Sequence, residues 1–168
     1  EETTAIGEWA LEHGIWVISD EIYQNLTYEG TKAISIVEAV PALANQTILV
    51  NGVAKTYAMT GWRVGWMVGP ADAIKIAGNL QSHLSSNVNN VAQRAAIAAL
   101  NGPQTEAEQF REAFDRRRRL IVSELSKIDG LVVPNPLGAF YVYPDVQGLL
   151  GRTWGGVVPT TSLELADL

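Results

Sequence analysis

The chain is predicted to be an α/β protein: a mixed, mostly parallel sheet packed with helices, followed by the start of a small α+β unit. Three observations predict this. Short apolar, β-branched runs at residues 15–18, 47–50 and 63–68 are separated by helical stretches, the pattern of a sheet with ligands at its strand ends. A long helical pattern then covers residues 104–128. Beyond it, two brief extended runs at 131–134 and 139–143 are joined by residues 135–138, where the character of the chain changes. The expected domains are residues 1–115 and residues 116–168, the second comprising a linking helix and a smaller unit.

Each element has its own signal. Thr3 or Thr4 is expected to cap a first helix, with Ile6, Trp9, Ala10 and His13 on its apolar face and Gly14 at its end. Residues 15–18 read as a buried strand, and residues 47–50 as a second. The third, 63–68, is closed by Gly69 and Pro70. Residues 71–84 read as a helix broken at Ser85, Ser86 and Asn87, and residues 88–100 as a helix stopped by Asn101, Gly102 and Pro103. The long helix that follows has apolar positions at Phe110, Ala113, Phe114, Ile121 and Leu125. Residues 148–159 are Gly-rich and are expected to form a mobile loop, and residues 161–168 read as a helix.

Composition narrows the functional classes. The 168 residues are 47% hydrophobic and 18% charged, enough for a sizeable core. A net charge of −6 speaks against a nucleic-acid or anionic-membrane surface. There is no cysteine, hence no disulfide and no thiolate metal site. His13 and His83 have no metal-ligand company in the sequence. With no signal peptide and no run of about 18 apolar residues, a soluble cytoplasmic protein is the default expectation.

The chemistry centres on Lys55. It follows an apolar run, where a charged amine is costly to keep, so it is expected to find a partner or to work as a neutral amine. Eight residues on, Arg63 is a fixed cation suited to phosphate. Upstream, Asp20 and Tyr23 end another apolar run and offer a carboxylate and a phenol. Asp20 and Lys55 both come just after strands, so one sheet edge can hold them together.

These motifs carry a resemblance. Asp20-Glu21-Ile22-Tyr23, then Asn51 to Lys55, then Met59-Thr60-Gly61-Trp62-Arg63-Val64-Gly65 resemble the class I, fold-type I, pyridoxal-phosphate-dependent aminotransferases, in the bacterial aspartate aminotransferase branch. The likeness continues through Arg116 to Arg119 and Gly138 to Val142 and covers nearly the whole chain. It implies that residues 1–115 are part of the cofactor-binding large domain of that fold. It implies that Lys55 binds pyridoxal 5'-phosphate covalently and later moves a proton at the substrate Cα. Asp20 would pair with the pyridine nitrogen, Tyr23 with the 3′ oxygen and Arg63 with the phosphate. Gly52 stands where some aspartate enzymes of the family carry a phosphate-contacting serine, and bacterial relatives with an Asn-Gly-x-x-Lys pattern share this difference.

Ser85 and Ser86, with Asn87, align with a loop that in the family's homodimer approaches the partner's cofactor phosphate. A helix-breaking turn explains these residues as well, and both readings stand at this point. The basic run Arg116 to Arg119 reads as a solvated helix face with ion pairs.

Family members are roughly twice as long or more, and such a length is that of two or more domains. The sequence is therefore expected to be a segment of a longer aminotransferase, lacking N- and C-terminal parts. Those parts would bring the substrate-carboxylate arginine, a ring-stacking aromatic and a phosphate-binding helix end. The implied activity of the parent is transamination of an aspartate-like amino acid with 2-oxoglutarate by a homodimer, the segment alone being inactive. Two alternatives stay open: a C–S or β-elimination lyase on the same fold, and a catalytically silent α/β module acting only in association.

Overall fold

The computed structural model describes residues 1–168. These form two compact units, Glu1–Arg111 and Glu112–Leu168. No helix is long and apolar enough to cross a membrane.

The first unit opens with helix α1 (Glu2–Glu12). Neither threonine caps it. The helix has already begun at Glu2, and its first turn is closed by Ala5 N–H donating to Glu1 O at 3.0 Å. Of the expected apolar face Ala10 is buried, but Ile6 and Trp9 are 60% and 54% exposed and Gly7 is buried in their place. Close approach explains this, because a Cβ on Gly7 would lie 2.8 Å from Val40 Cγ2. Small residues let α1 settle on Ile36, Val40 and Leu43, the centre of the apolar core. Gly14 ends the helix in the left-handed region at φ +61°, its N–H bonded to Leu11 O.

Strand β1 (Val17–Asp20) follows, then a short helix α2 (Ile36–Ala39), a 3₁₀ turn at Pro41–Gln46, and strand β2 (Thr47–Gly52). Strand β3 (Gly65–Val68) completes a three-stranded sheet in the order β1-β2-β3. β1 and β2 are parallel with Asp20 opposite Val50, and β2 and β3 are antiparallel with Gly52 opposite Gly65. Burial in β1 alternates, so Ile18 points outward at 76% exposure instead of lying in a strand buried on both faces. All four residues of β3 are exposed.

Helix α3 (Ala71–Leu84) and helix α4 (Asn90–Asn101) flank the break at residues 85–89, and Asn89 Oδ1 caps α4 by accepting from Ala92 N–H at 3.0 Å. Helix α5 (Thr105–Leu125) runs on from the first unit into the second.

In the second unit the apolar positions of α5 are not its most buried ones. Asp115 and Arg118 are: Arg116, Arg117 and Arg119 are exposed as expected of a solvated face, but Arg118 departs from it, 5% exposed and ion-paired to Asp115 at 2.7 Å. Its Nη1 also bonds to Asn135 Oδ1 and, at 3.3 Å, to Pro136 O. Arg119, by contrast, is solvent-facing and pairs with Asp115 from outside. The two expected strands at 131–134 and 139–143 do not form. A single bridge, Val132 with Asp145, stands in their place. Pro134, Pro136 and Pro144 have no N–H to extend a ladder, and Ala139 lies at φ +57°. The Gly-rich stretch is held by Gly151 N–H to Pro159 O at 2.8 Å and by a bridge between Trp154 and Val157. Helix α6 (Ser162–Ala166) starts in a capping box between Thr161 and Glu164.

Candidate functional site

The register of the sheet brings the chemistry to one edge. β1 and β2 run in the same direction, so Asp20 at the end of β1 lies beside Val50, with Lys55 three residues past the end of β2. β3 runs the other way, so Arg63, two residues before it, lies at that same edge. This is the carboxyl end of the parallel pair, where open α/β sheets hold ligands.

Two acids sit side by side there, and their bonding separates them. Glu21 is committed inside the fold: its Oε1 accepts from Ser35 Oγ at 2.6 Å and from Ser19 Oγ at 3.2 Å. Asp20 is exposed and accepts only the Ile22 N–H, at 3.1 Å through Oδ1. The carboxylate with capacity for a ligand is therefore Asp20. Tyr23 follows in a turn whose carbonyl takes the Leu26 N–H at 2.9 Å. Lys55 Nζ stands 5.9 Å from the centroid of the Tyr23 ring, a cation–π distance.

Arg63 sits in the left-handed region at φ +56°, after the 3₁₀ turn Thr60–Trp62. Its Nη1 donates to Thr60 O at 2.9 Å, and no carboxylate pairs with it. It opens onto a groove of about 730 Å³ whose lining includes Ala58, Ser85, Asn87 and Asn89. Of the two predicted serines, Ser85 lines this groove. Ser86, at φ +58°, does not. Ala58, Arg63 and Ser86 are three of the five non-glycine residues with positive φ, and strain of this kind gathers where function fixes a backbone.

The structure also explains Gly52. A Cβ there would meet Val64 O at 2.8 Å and Gly65 Cα at 3.1 Å. Backbone and not flexible side chain blocks the space, so a serine at this position would push β3 away from β2. Asn87, expected in the same loop as the serines, lines the groove, whereas Asn89 on the groove and Tyr57 beside Lys55 carry no sequence signal of their own. Only their closeness to Ser85 and Lys55 along the chain points to them.

The donor set suits pyridoxal phosphate. An amine, a carboxylate with spare capacity, a phenol and an unpaired guanidinium share one sheet edge, and the guanidinium faces an open groove. Asp20, Tyr23, Lys55 and Arg63 are the residues that would hold it.

The sequence matches the family described as Aminotransferase class I and II over residues 1–166. It is 55% identical to an aspartate aminotransferase of Streptomyces avermitilis over all 168 residues, which are 41% of that protein. It is 48% identical to an aspartate aminotransferase of Geobacillus stearothermophilus over 147 residues, 88% of this chain and 37% of that one. The fold superposes on the crystal structure of an aspartate aminotransferase from Rhizobium meliloti with a TM-score of 0.90 at 38% identity, covering 95% of this chain and 40% of that one. The chain thus spans about 41% of the length of the first of these curated relatives.

Proposed function

The chain belongs to the aminotransferase class I and II family, and from that premise we propose that it supplies the lysine, ring acid, phenol and phosphate arginine of a pyridoxal-phosphate transaminase site. The parent reaction is exchange of an amino group between an aspartate-like amino acid and 2-oxoglutarate. The reading extends to a cytoplasmic homodimer, with Ser85 and Ser86 facing the partner's phosphate. The observation that carries the proposal is the convergence of Asp20, Tyr23, Lys55 and Arg63 on one edge of the sheet.

Pyridoxal phosphate, when bound, supplies an electron sink for charge developing at the substrate Cα. The residues supply the rest. Lys55 Nζ would hold the cofactor and would move a proton at the substrate Cα, a role that needs the amine neutral. Asp20 would offer its carboxylate to the ring nitrogen and hold a proton there, which deepens the sink. Tyr23, whose ring centroid lies 5.9 Å from Lys55 Nζ, would donate toward the ring oxygen. Arg63 would take the phosphate through its forked donors.

The test is absorbance of the chain with pyridoxal phosphate, followed by borohydride reduction and peptide mass mapping. The expected result is a visible band and a reduced adduct on Lys55, both lost in Lys55→Ala. A band of equal strength in Lys55→Ala, with adducts scattered over surface lysines, would overturn the assignment.

A further inference from the structure

The turn that carries Lys55 is fastened by residues the proposed chemistry does not use. Val53 is fully buried and Thr56 nearly so. Tyr57 N–H donates to Val53 O at 3.3 Å, and Ala58 N–H to Lys55 O at 3.2 Å. Beyond the turn, the Tyr57 hydroxyl donates to Gln104 Oε1 at 3.0 Å. Gln104 is itself fixed at both ends. Its Nε2 donates to Ala99 O at 3.1 Å and to Gly102 O at 2.8 Å, which closes the end of α4. Its backbone carbonyl accepts the Glu108 N–H at 3.0 Å in the first turn of α5. With both amide hydrogens spent on carbonyls, the side chain has only Oε1 to offer the phenol, so its orientation is determined.

A strained residue sits beside this tie. Ala58 holds φ +53°, a conformation that persists only where the surroundings over-determine it. The Tyr57–Gln104 bond provides such a constraint one residue away. Catalytic groups work only when held within about 0.5 Å of the productive position, and the groups that hold them are commonly outside the site.

We infer that Tyr57 and Gln104 are positioning residues for Lys55: a hydrogen bond from the lysine's own turn to the α4–α5 corner fixes where the amine stands. The inference rests on Lys55 being the cofactor lysine. Neither residue need touch the cofactor. The tie sets how readily the bound aldehyde meets Nζ, and leaves the contacts made by Asp20 and Arg63 in place.

The experiment uses the whole 168-residue chain and its Tyr57→Phe, Gln104→Ala and double variants. The rate of borohydride-trapped labelling of Lys55 is followed against pyridoxal phosphate concentration by peptide mass, with exposed Lys75 on α3 as internal reference. Amide hydrogen exchange is read over residues 53–58. Each single variant is expected to lower the maximal labelling rate about 5-fold at an unchanged half-saturating concentration, and to raise exchange at Tyr57 and Ala58 about 10-fold. The double variant is expected to match the singles, because one bond is lost in all three. Effects that multiply in the double variant, or a half-saturation that moves while the maximal rate holds, overturn the positioning role. Lys55 labelled no faster than Lys75 in the unaltered chain marks failure of the cofactor reading instead. Lys55 labelled faster than Lys75, but at the same maximal rate in Tyr57→Phe, overturns the positioning role alone.

Discussion

The two units bury different things. In residues 1–111 the interior is apolar: Leu43 and Val53 are completely enclosed, with Leu26, Tyr28 and Ala10 nearly so. In residues 112–168 the most enclosed groups on α5 are an aspartate and an arginine, and few apolar side chains share their burial. The first unit is therefore held by area removed from water, a cohesion spread over many contacts. The second leans on one charged network, in which the loss of Asp115 leaves the buried Arg118 uncompensated. A unit of the first kind yields gradually to mutation and acid, whereas one of the second kind has a single point of failure.

The sharpest way to break the contrast is Arg118→Ala. It leaves Arg119 as the only cation on the buried Asp115 carboxylate and takes a donor from Asn135 Oδ1 and Pro136 O, and is expected to cost about 3 kcal/mol. Hydrogen exchange should show loss of protection at residues 131–145 with the β1–β2–β3 amides unchanged. Arg117→Ala is the control, since Arg117 is exposed and lies 5.5 Å over the Phe114 ring. It should cost well under about 1 kcal/mol. Equal effects from the two substitutions would dissolve the distinction between the units.

Acid probes the same network. The hydrogen bond from Arg119 holds the Asp115 carboxyl below its ordinary value of 3.8, Arg118 adds to this, and burial opposes both. The folded value is the lower one, so this stabilisation is complete above 3.8 and is lost as pH falls below it, through the folded value. Protection at residues 131–145 should decline in that range, and the acid step should shrink in Arg118→Ala. A step of unchanged size would place the acid sensitivity elsewhere.

In the first unit, Gly52→Ser tests the site edge. Its Cβ would press on Val64 O and Gly65 Cα, and an overpacked backbone contact of this kind costs about 2 kcal/mol. The urea midpoint should fall, and Lys55 labelling by pyridoxal phosphate should fall with it, because β2 leads directly into the Lys55 turn. A serine accepted without loss would mean that β3 can move aside.

What was legible in the sequence follows the same division. The three strand positions, the helix at residues 71–84 and the break at Ser85 were readable because local propensity and long-range packing agree there. That Asp20, Tyr23, Lys55 and Arg63 fall near strand ends was readable, and the register brings them to one edge. The failures have specific causes. In α1 the gap to α2 admits only Gly7 and Ala10, a matter of tertiary distance that no periodicity encodes. At residues 131–143 the β-branched and aromatic run suggested strands, but Pro134, Pro136 and, just beyond, Pro144 remove donors a ladder needs. For Arg118, four consecutive arginines look alike in sequence. Only the position of Asn135, seventeen residues on, selects the one that is buried.

The finest test makes the first unit's interior still more apolar. Thr47, at the start of β2, is 1% exposed, and its hydroxyl is the one buried side-chain polar atom with no hydrogen-bond partner. Desolvating a hydroxyl without returning a bond is a net cost, and Thr47→Val keeps the branched shape while removing it. The substitution should raise stability by about 1 kcal/mol, seen as a higher urea midpoint at an unchanged denaturant slope. The amplitude of the second unit's acid step should not move. A lower midpoint would mean that the hydroxyl bonds a buried water, and that the first unit, like the second, keeps part of its stability in polar contacts.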